Sequence, residues 1–283
     1  MNDAHPVAPH PVAGASATPH PPTAQAPSPG AGTTAGTLML TGERTVPGIE
    51  TENYWFRRHE IAYRQILDLC ADRDVLEAGS GEGYGADMIA DAARSVTCVD
   101  YDTAAVAHTR ARYPRLTVHQ GNLVDLPLSD ASVDVVVNFQ VIEHLWDQPA
   151  FVAECVRVLR PGGLLLISTP NRITFSPGRD TPLNPFHTRE LNAAELRALL
   201  TDGGLRVREM LGVHHGTRLG DLDEKWGGSI IDAQIDRALA GTPWPDDLAG
   251  DVAAVAADDF VVTREADADI DASLDLFAIA ERA

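Results

Sequence analysis

Gly79, Gly81 and Gly83 alternate with Ser80 and Glu82 between an apolar run and a helical pattern. Glycines so spaced let a chain turn sharply out of a strand and bring its backbone close to a ligand. Alone the pattern is a weak sign of a nucleotide site. Two carboxylates sharpen it. Glu77 interrupts the apolar run 75–78, where a charge is costly unless it meets a partner or ligand. Asp100 closes the next apolar run, 17 residues beyond Gly83, a placement suited to accepting both hydroxyls of a ribose. Asp100 has a second reading, as the cap of the helix that follows. A separate polar set, Gln140, Glu143 and His144, stands at i, i+3 and i+4 just after an apolar run. One helical turn would carry all three on one face. His187 follows downstream. Such groups can take the proton of an acceptor hydroxyl, an effect of ~10²–10⁴-fold, hold a metal ion that lowers its pKa, or simply cap and pack a turn.

These residues need a frame. Short buried strands are expected at 74–78, 95–99, 116–120, 133–139, 164–169, 205–213 and 275–281. Helical spacing falls at 52–70, 85–93, 103–112, 149–159 and 190–200. In the first helix Trp55, His59, Ile66 and Leu69 share a stripe. The run 133–139 is almost continuously β-branched, as a strand covered on both faces should be. Strands alternating with helices imply an α/β fold, a seven-stranded and mostly parallel sheet with helices on both faces. Arg160-Pro-Gly-Gly163 reads as the turn into the fifth strand. Residues 214–268 read as a helical insertion, with patterns near 230–239 and 246–256.

Composition bounds the rest. The formal net charge of the 283 residues is −19, which disfavours phosphate backbones and anionic membranes. A nucleic-acid partner is therefore not expected. Cys70, Cys98 and Cys155 form no CxxC pair, so neither a zinc ribbon nor a redox dithiol is indicated. No apolar run reaches the ~18 residues of a membrane span. Residues 1–37, rich in Pro and Ala, are expected to form a disordered tail, since they offer too little apolar surface to offset ordering. Residues 38–283 are expected to form the folded domain. No Lys or Arg precedes Arg44 and no apolar h-region is present, so no signal peptide is expected and the cytoplasm is the expected location. Nothing in the sequence fixes an oligomeric state.

Taken together, Glu77-x-Gly79-x-Gly81-x-Gly83, Asp100 and Arg157-Val-Leu-Arg-Pro-Gly-Gly163 resemble the class I S-adenosylmethionine-dependent methyltransferases. That resemblance implies a Rossmann-like sheet and S-adenosylmethionine as cofactor. It also implies that Glu77 and the loop Gly79, Ser80, Gly81 and Gly83 hold the methionine amino end. Asp100 would hold the ribose, Tyr101 would flank the adenine, and Asn122 with Leu123 would meet its edge. Asn138 belongs to the same implied set. Arg58 and His59, on a helix closing over the cofactor, would take the methionine carboxylate. NAD would leave the last two strands and the Arg-Pro-Gly-Gly turn unexplained.

The cluster Gln140, Glu143, His144 and His187 resembles the E-x-x-E-H…H divalent-metal set of small-RNA 2′-O-methyltransferases, with Gln at the first position. Mg²⁺ or Mn²⁺ is the implied ion. Six stretches, among them 52–58, 169–178 and 227–234, resemble a narrow group of actinobacterial methyltransferases linked to methylglucose lipopolysaccharide assembly. The implied reaction is O-methylation of a sugar hydroxyl in a cytoplasmic polysaccharide, with the glucose 6-hydroxyl as one candidate. Two other readings stay open: a different hydroxylated small acceptor such as a quinone-like phenol, and a cofactor-binding protein without catalysis.

Overall fold

The β-branched run Val133–Phe139 lies at the middle of the sheet, covered on both faces. The computed structural model describes residues 44–283; the tail expected over 1–37 lies outside the described residues. The strands are β1 (Asp74–Ala78), β2 (Ser95–Asp100), β3 (Thr117–Gln120), β4 (Val133–Phe139), β5 (Leu159–Pro170), β6 (Leu205–His215), β7 (Phe260–Arg264) and β8 (Asp275–Arg282). Their spatial order is β3-β2-β1-β4-β5-β8-β6-β7. The first five run parallel and β8, β6 and β7 pair antiparallel. Parallel pairing brings the carboxyl ends of β1 to β4 to one edge, where this kind of sheet binds ligands.

The helices are α1 (Asn53–Cys70), α2 (Tyr84–Ile89), α3 (Thr103–Arg112), α4 (Gln148–Val158), α5 (Arg172–Phe175), α6 (Ala193–Asp202), α7 (Thr217–Lys225), α8 (Ile230–Ala240) and α9 (Asp246–Ala253). Alternate strand residues face opposite sides. Leu76, Ala78, Val136, Leu165 and Ile167 pack with Phe151 and Val152 of α4 and Leu196 of α6. Val75, Val135, Val137 and Leu166 pack on the other side with Tyr63 and Ile66 of α1 and Ile89 of α2. A third cluster joins Tyr54 and Ile61 of α1 to Leu219, Ile230, Leu248 and Phe260 of the insertion.

Four expectations change. The sheet has eight strands, because Phe260-Val-Val-Thr-Arg264 inside the insertion pairs with β6 as an edge strand. Five residues between helical patterns are too few for periodicity to reveal. Arg160-Pro-Gly-Gly163 is a bulge within β5, not a turn before it: the β4 register jumps from Val133↔Leu159 to Val135↔Leu164. Residues 140–144 form no α-helical turn, since Gln140 has φ +57° and only Ile142–His144 closes a tight 3₁₀ turn. The inward face of α1 carries Arg58, Tyr63 and Ile66, while Trp55 and Leu69 are only half-buried.

Arg58 explains part of that last change. Its guanidinium donates to both Asp275 carboxylate oxygens, at 2.6 and 2.5 Å, and to the Leu274 carbonyl at 2.8 Å. The pair, 3% and 1% exposed, ties α1 to the start of β8. Removing one partner strands a buried charge, so Asp275→Asn should cost about 3–5 kcal/mol of stability. Denaturant unfolding checks this, and loss of under 1 kcal/mol would contradict the role.

Candidate active site

Beyond β1 the chain turns through Gly79, Gly81 and Gly83, all at positive φ. A Cβ on Gly79 would sit 2.7 Å from both Val141 methyls, whereas nothing lies within 4 Å of one on Gly81. Close packing demands the first glycine, and open space beside the second is where a ligand approaches. Asp100, at the tip of β2, accepts from the Gly81 amide at 2.7 Å and the Asp102 amide at 2.9 Å. Its carboxylate has about four acceptor sites, so two remain in number for a ribose diol. The helix cap is Asp102, which accepts from the Ala104 amide.

These elements border a cleft of about 1010 Å³. Of the residues singled out from the sequence, His59, Gly79, Ser80, Gly81, Asp100, Tyr101, Asn122, Leu123, Gln140 and His144 line it. Tyr101 is 80% exposed at the rim. Gly83 instead caps α2, its absent side chain replaced by Thr109. Glu77, Asn138, Glu143, His187 and Arg58 lie outside the lining. Asn138, one position before Phe139 of the lining, donates to the Ala78 carbonyl at 2.8 Å, and Glu77, two positions before Gly79, accepts from the Tyr63 hydroxyl at 2.7 Å.

Arg58 is spent on Asp275 and faces a different cavity, so it does not serve as the expected carboxylate partner. His59 reaches the cleft within 3.4 Å of the Thr45 and Tyr84 hydroxyls, but burial pushes its pKa down to about 4. It is neutral there. The cation that does line the cleft is Arg44, paired with Asp102 at 2.7 Å. Sequence reading passed over Arg44, Thr45, Tyr63 and Tyr84; only Tyr63, four residues from His59 on the helix, had a periodic signal.

The polar cluster assembles without Gln140, whose amide donates to Ser168 Oγ at 3.0 Å. Ligand-capable atoms of Glu143, His144 and His187 all lie within 4.8 Å of one another. The His144 and His187 rings meet edge to face at 4.8 Å. His144 Nδ1 donates to the Phe186 carbonyl at 3.0 Å, which places the basic lone pair on Nε2. His187 Nδ1 donates to Glu190 at 2.7 Å, and Asn184 donates to its Nε2 at 3.1 Å. Glu190 is a residue the sequence reading missed, though it stands three positions after His187. Glu143 is buried, accepts from Thr169 Oγ1 at 3.0 Å, and burial raises its pKa to about 7, with nearby His187 opposing the rise.

A sheet parallel over β1 to β5 with an antiparallel β8-β6-β7 side, a glycine loop after β1 and a carboxylate at the tip of β2 suit a class I methyltransferase. A methyltransferase-domain family model matches residues 76–167. A protein of Mycolicibacterium smegmatis, named a probable S-adenosylmethionine-dependent methyltransferase, is 68% identical over 245 residues, 87% of this chain and 95% of that one. A Mycobacterium tuberculosis protein so named is 64% identical over 264 residues, 93% and 94% of the two chains. The solved structure of an S-adenosylmethionine-dependent methyltransferase from Thermotoga maritima matches with TM-score 0.56 at 16% identity. It covers 81% of this chain and 93% of that one, a likeness of fold. The chain belongs to the S-adenosylmethionine-dependent methyltransferases and is an enzyme of that class.

The residues present suit that cofactor. Among the described residues Ser80 Oγ, Asn138 Oδ1 and Glu77 Oε2 are buried with no well-formed hydrogen bond. An unsatisfied buried group costs ~1–3 kcal/mol, and of these three residues Ser80 lines the cleft, where a polar ligand can reach it. Asp100→Ala should weaken cofactor binding by ~1.5–3 kcal/mol, the scale of hydrogen bonds to a charged group. Calorimetry with S-adenosylmethionine measures it, and wild-type affinity would remove Asp100 from the site. Burial also raises the Glu77 pKa from 4.5 to about 8. A raised carboxyl favours the folded state when protonated, so its stabilisation is full below about 4.5 and lost as pH rises through about 8. In the cofactor-free protein Glu77→Gln should flatten the stability loss across that window. Parallel pH profiles of wild type and variant would contradict this.

Proposed function

We propose that the protein methylates a sugar hydroxyl in a cytoplasmic polysaccharide, with the 6-hydroxyl of glucose units as the first candidate. S-adenosylmethionine supplies an activated methyl group when bound. The chain must then bring an acceptor oxygen in line and provide for the proton that oxygen sheds as it becomes an ether. The observation that carries this reading is His144, which lines the cleft beside the glycine loop with its tautomer set by the Phe186 carbonyl. In that tautomer Nε2 is the proton-accepting nitrogen. His187, backed by buried Glu190, stands against it.

The cleft mouth supports a sugar acceptor. Trp146 is 91% exposed on its lining, with Tyr101, and an exposed amphipathic ring offers an apolar face to the C–H side of a pyranose while its edge stays wet. The net charge of −19 favours a neutral glycan over a nucleic acid. The cysteines Cys70, Cys98 and Cys155 are free and buried, in keeping with a reducing cytoplasm. Among the described residues no helix is long and apolar enough to cross a membrane.

A second reading of the cluster is favoured by the convergence of Glu143, His144 and His187. It is a divalent-metal site, Mg²⁺ or Mn²⁺, whose ion would lower the pKa of the hydroxyl. Two imidazoles and one carboxylate suit Mn²⁺ better than the oxygen-seeking Mg²⁺. Methyl-labelled cofactor incubated with glucose oligomers, with and without chelator, tests both readings. Label should appear as an O-methyl ether. His144→Ala should lower turnover by ~10²–10⁴-fold with cofactor affinity nearly unchanged. Chelation that abolishes transfer, restored by Mn²⁺, selects the metal; unchanged turnover in His144→Ala returns that residue to packing.

A further inference from the structure

A second cavity, of about 410 Å³, is linked to the cofactor cleft through the histidine pair. Phe175 connects the two. It lines the cavity and stacks on His187, centroids 5.4 Å apart and planes 29° from parallel, and His187 meets His144 of the cleft. The walls come from segments that the cofactor site leaves unused. One is α5 and the chain just beyond it, with Thr174, Phe175 and Arg179. The other is the junction of α7 and α8, with Asp223, Ser229 and Asp232.

We propose that this cavity is an acceptor subsite, binding an uncharged, hydroxyl-rich portion of the acceptor that does not itself react. Its size lies within the ~300–1,000 Å³ of small-molecule sites. The deep groups are ordered before any ligand arrives. Arg58, 3% exposed, is neutralised by Asp275. His215 is bonded at 2.6 Å both to the Tyr54 hydroxyl and to Asp223. What the walls still offer is mixed: Arg179 and Asp232, both exposed, form no ion pair among the described residues, and Asp223 brings a second carboxylate. An anion would meet the carboxylates of Asp223 and Asp232, and a cation would meet the Arg179 guanidinium. Hydroxyls donate and accept, so they satisfy both kinds of group, while Phe175 and Ile231 present apolar surface to ring C–H faces.

This inference rests on the reading of the acceptor as a glycan, so binding is measured apart from transfer. Maltoheptaose is the probe, followed by saturation-transfer NMR and calorimetry on the full chain. The wild type should bind it with or without S-adenosylhomocysteine. Ser229→Trp, which fills the cavity, should abolish binding. Arg179→Ala with Asp232→Ala, both at exposed positions, should weaken it at least tenfold. Cofactor affinity in every variant should stay within twofold, which also reports that the fold is intact. Failure of the wild type to bind, variants that bind as wild type, or displacement of the sugar by millimolar inorganic phosphate would each overturn the subsite. Transfer of label to maltoheptaose with KM unmoved by the variants would overturn the subsite and keep the glycan reading. Binding lost in the variants, with no label transferred by the wild type, would uphold the subsite and sink that reading.

Discussion

The loop after β1 lies against the segment after β4 so closely that a Gly79 Cβ would fall 2.7 Å from the Val141 side chain. Interiors are packed too densely to absorb such an intrusion without moving backbone. Val141 directly follows Gln140, at φ +57°, and directly precedes the 3₁₀ turn that carries Glu143 and His144. One packing contact therefore sets the distance between the glycine loop and the turn that carries Glu143 and His144. Asp100 reinforces it from the other strand, holding the Gly81 amide.

Buried charge is the second organising feature. Arg58 and Asp275 spend themselves on each other and fix α1 across the end of β8. Glu77 and Glu143 form no such ion pair among the described residues, and burial shifts both toward the neutral form, opposed at Glu143 by nearby His187. Glu77 sits behind the cofactor loop and Glu143 behind the histidines, each held by one hydroxyl, of Tyr63 and Thr169 respectively. Uncompensated carboxyls of this kind are costly to folding and are found where a ligand or reaction gives them something to do.

The insertion between β6 and β8 adds more than length. Its helices α7, α8 and α9 pack on the outer face of α1 through Tyr54 and Ile61, the helix whose inner face carries Tyr63 and His59 toward the cleft. Of these, α7 and α8 line the cavity that reaches His187 through Phe175. One insertion thus supports the cleft from behind and lines the second cavity directly.

By itself the sequence determined the strands of the parallel half and the cofactor loop. Those features rest on local rules: β-branched runs, glycine spacing and a carboxylate at a strand end all act within a few residues. Asp74–Ala78, Val133–Phe139 and Thr103–Arg112 stand where periodicity placed them. Tertiary structure alone decided which side chains meet across long separations. Arg58 turned from the cofactor because Asp275, 217 residues on, lies nearer. Gln140 left the polar cluster because its backbone takes a left-handed turn toward Ser168, and Glu190 entered behind His187. The edge strand Phe260–Arg264 exists because β6 offers it unpaired backbone groups. None of these follows from spacing, since the free energy of pairing a buried charge or a strand edge depends on what the fold brings alongside.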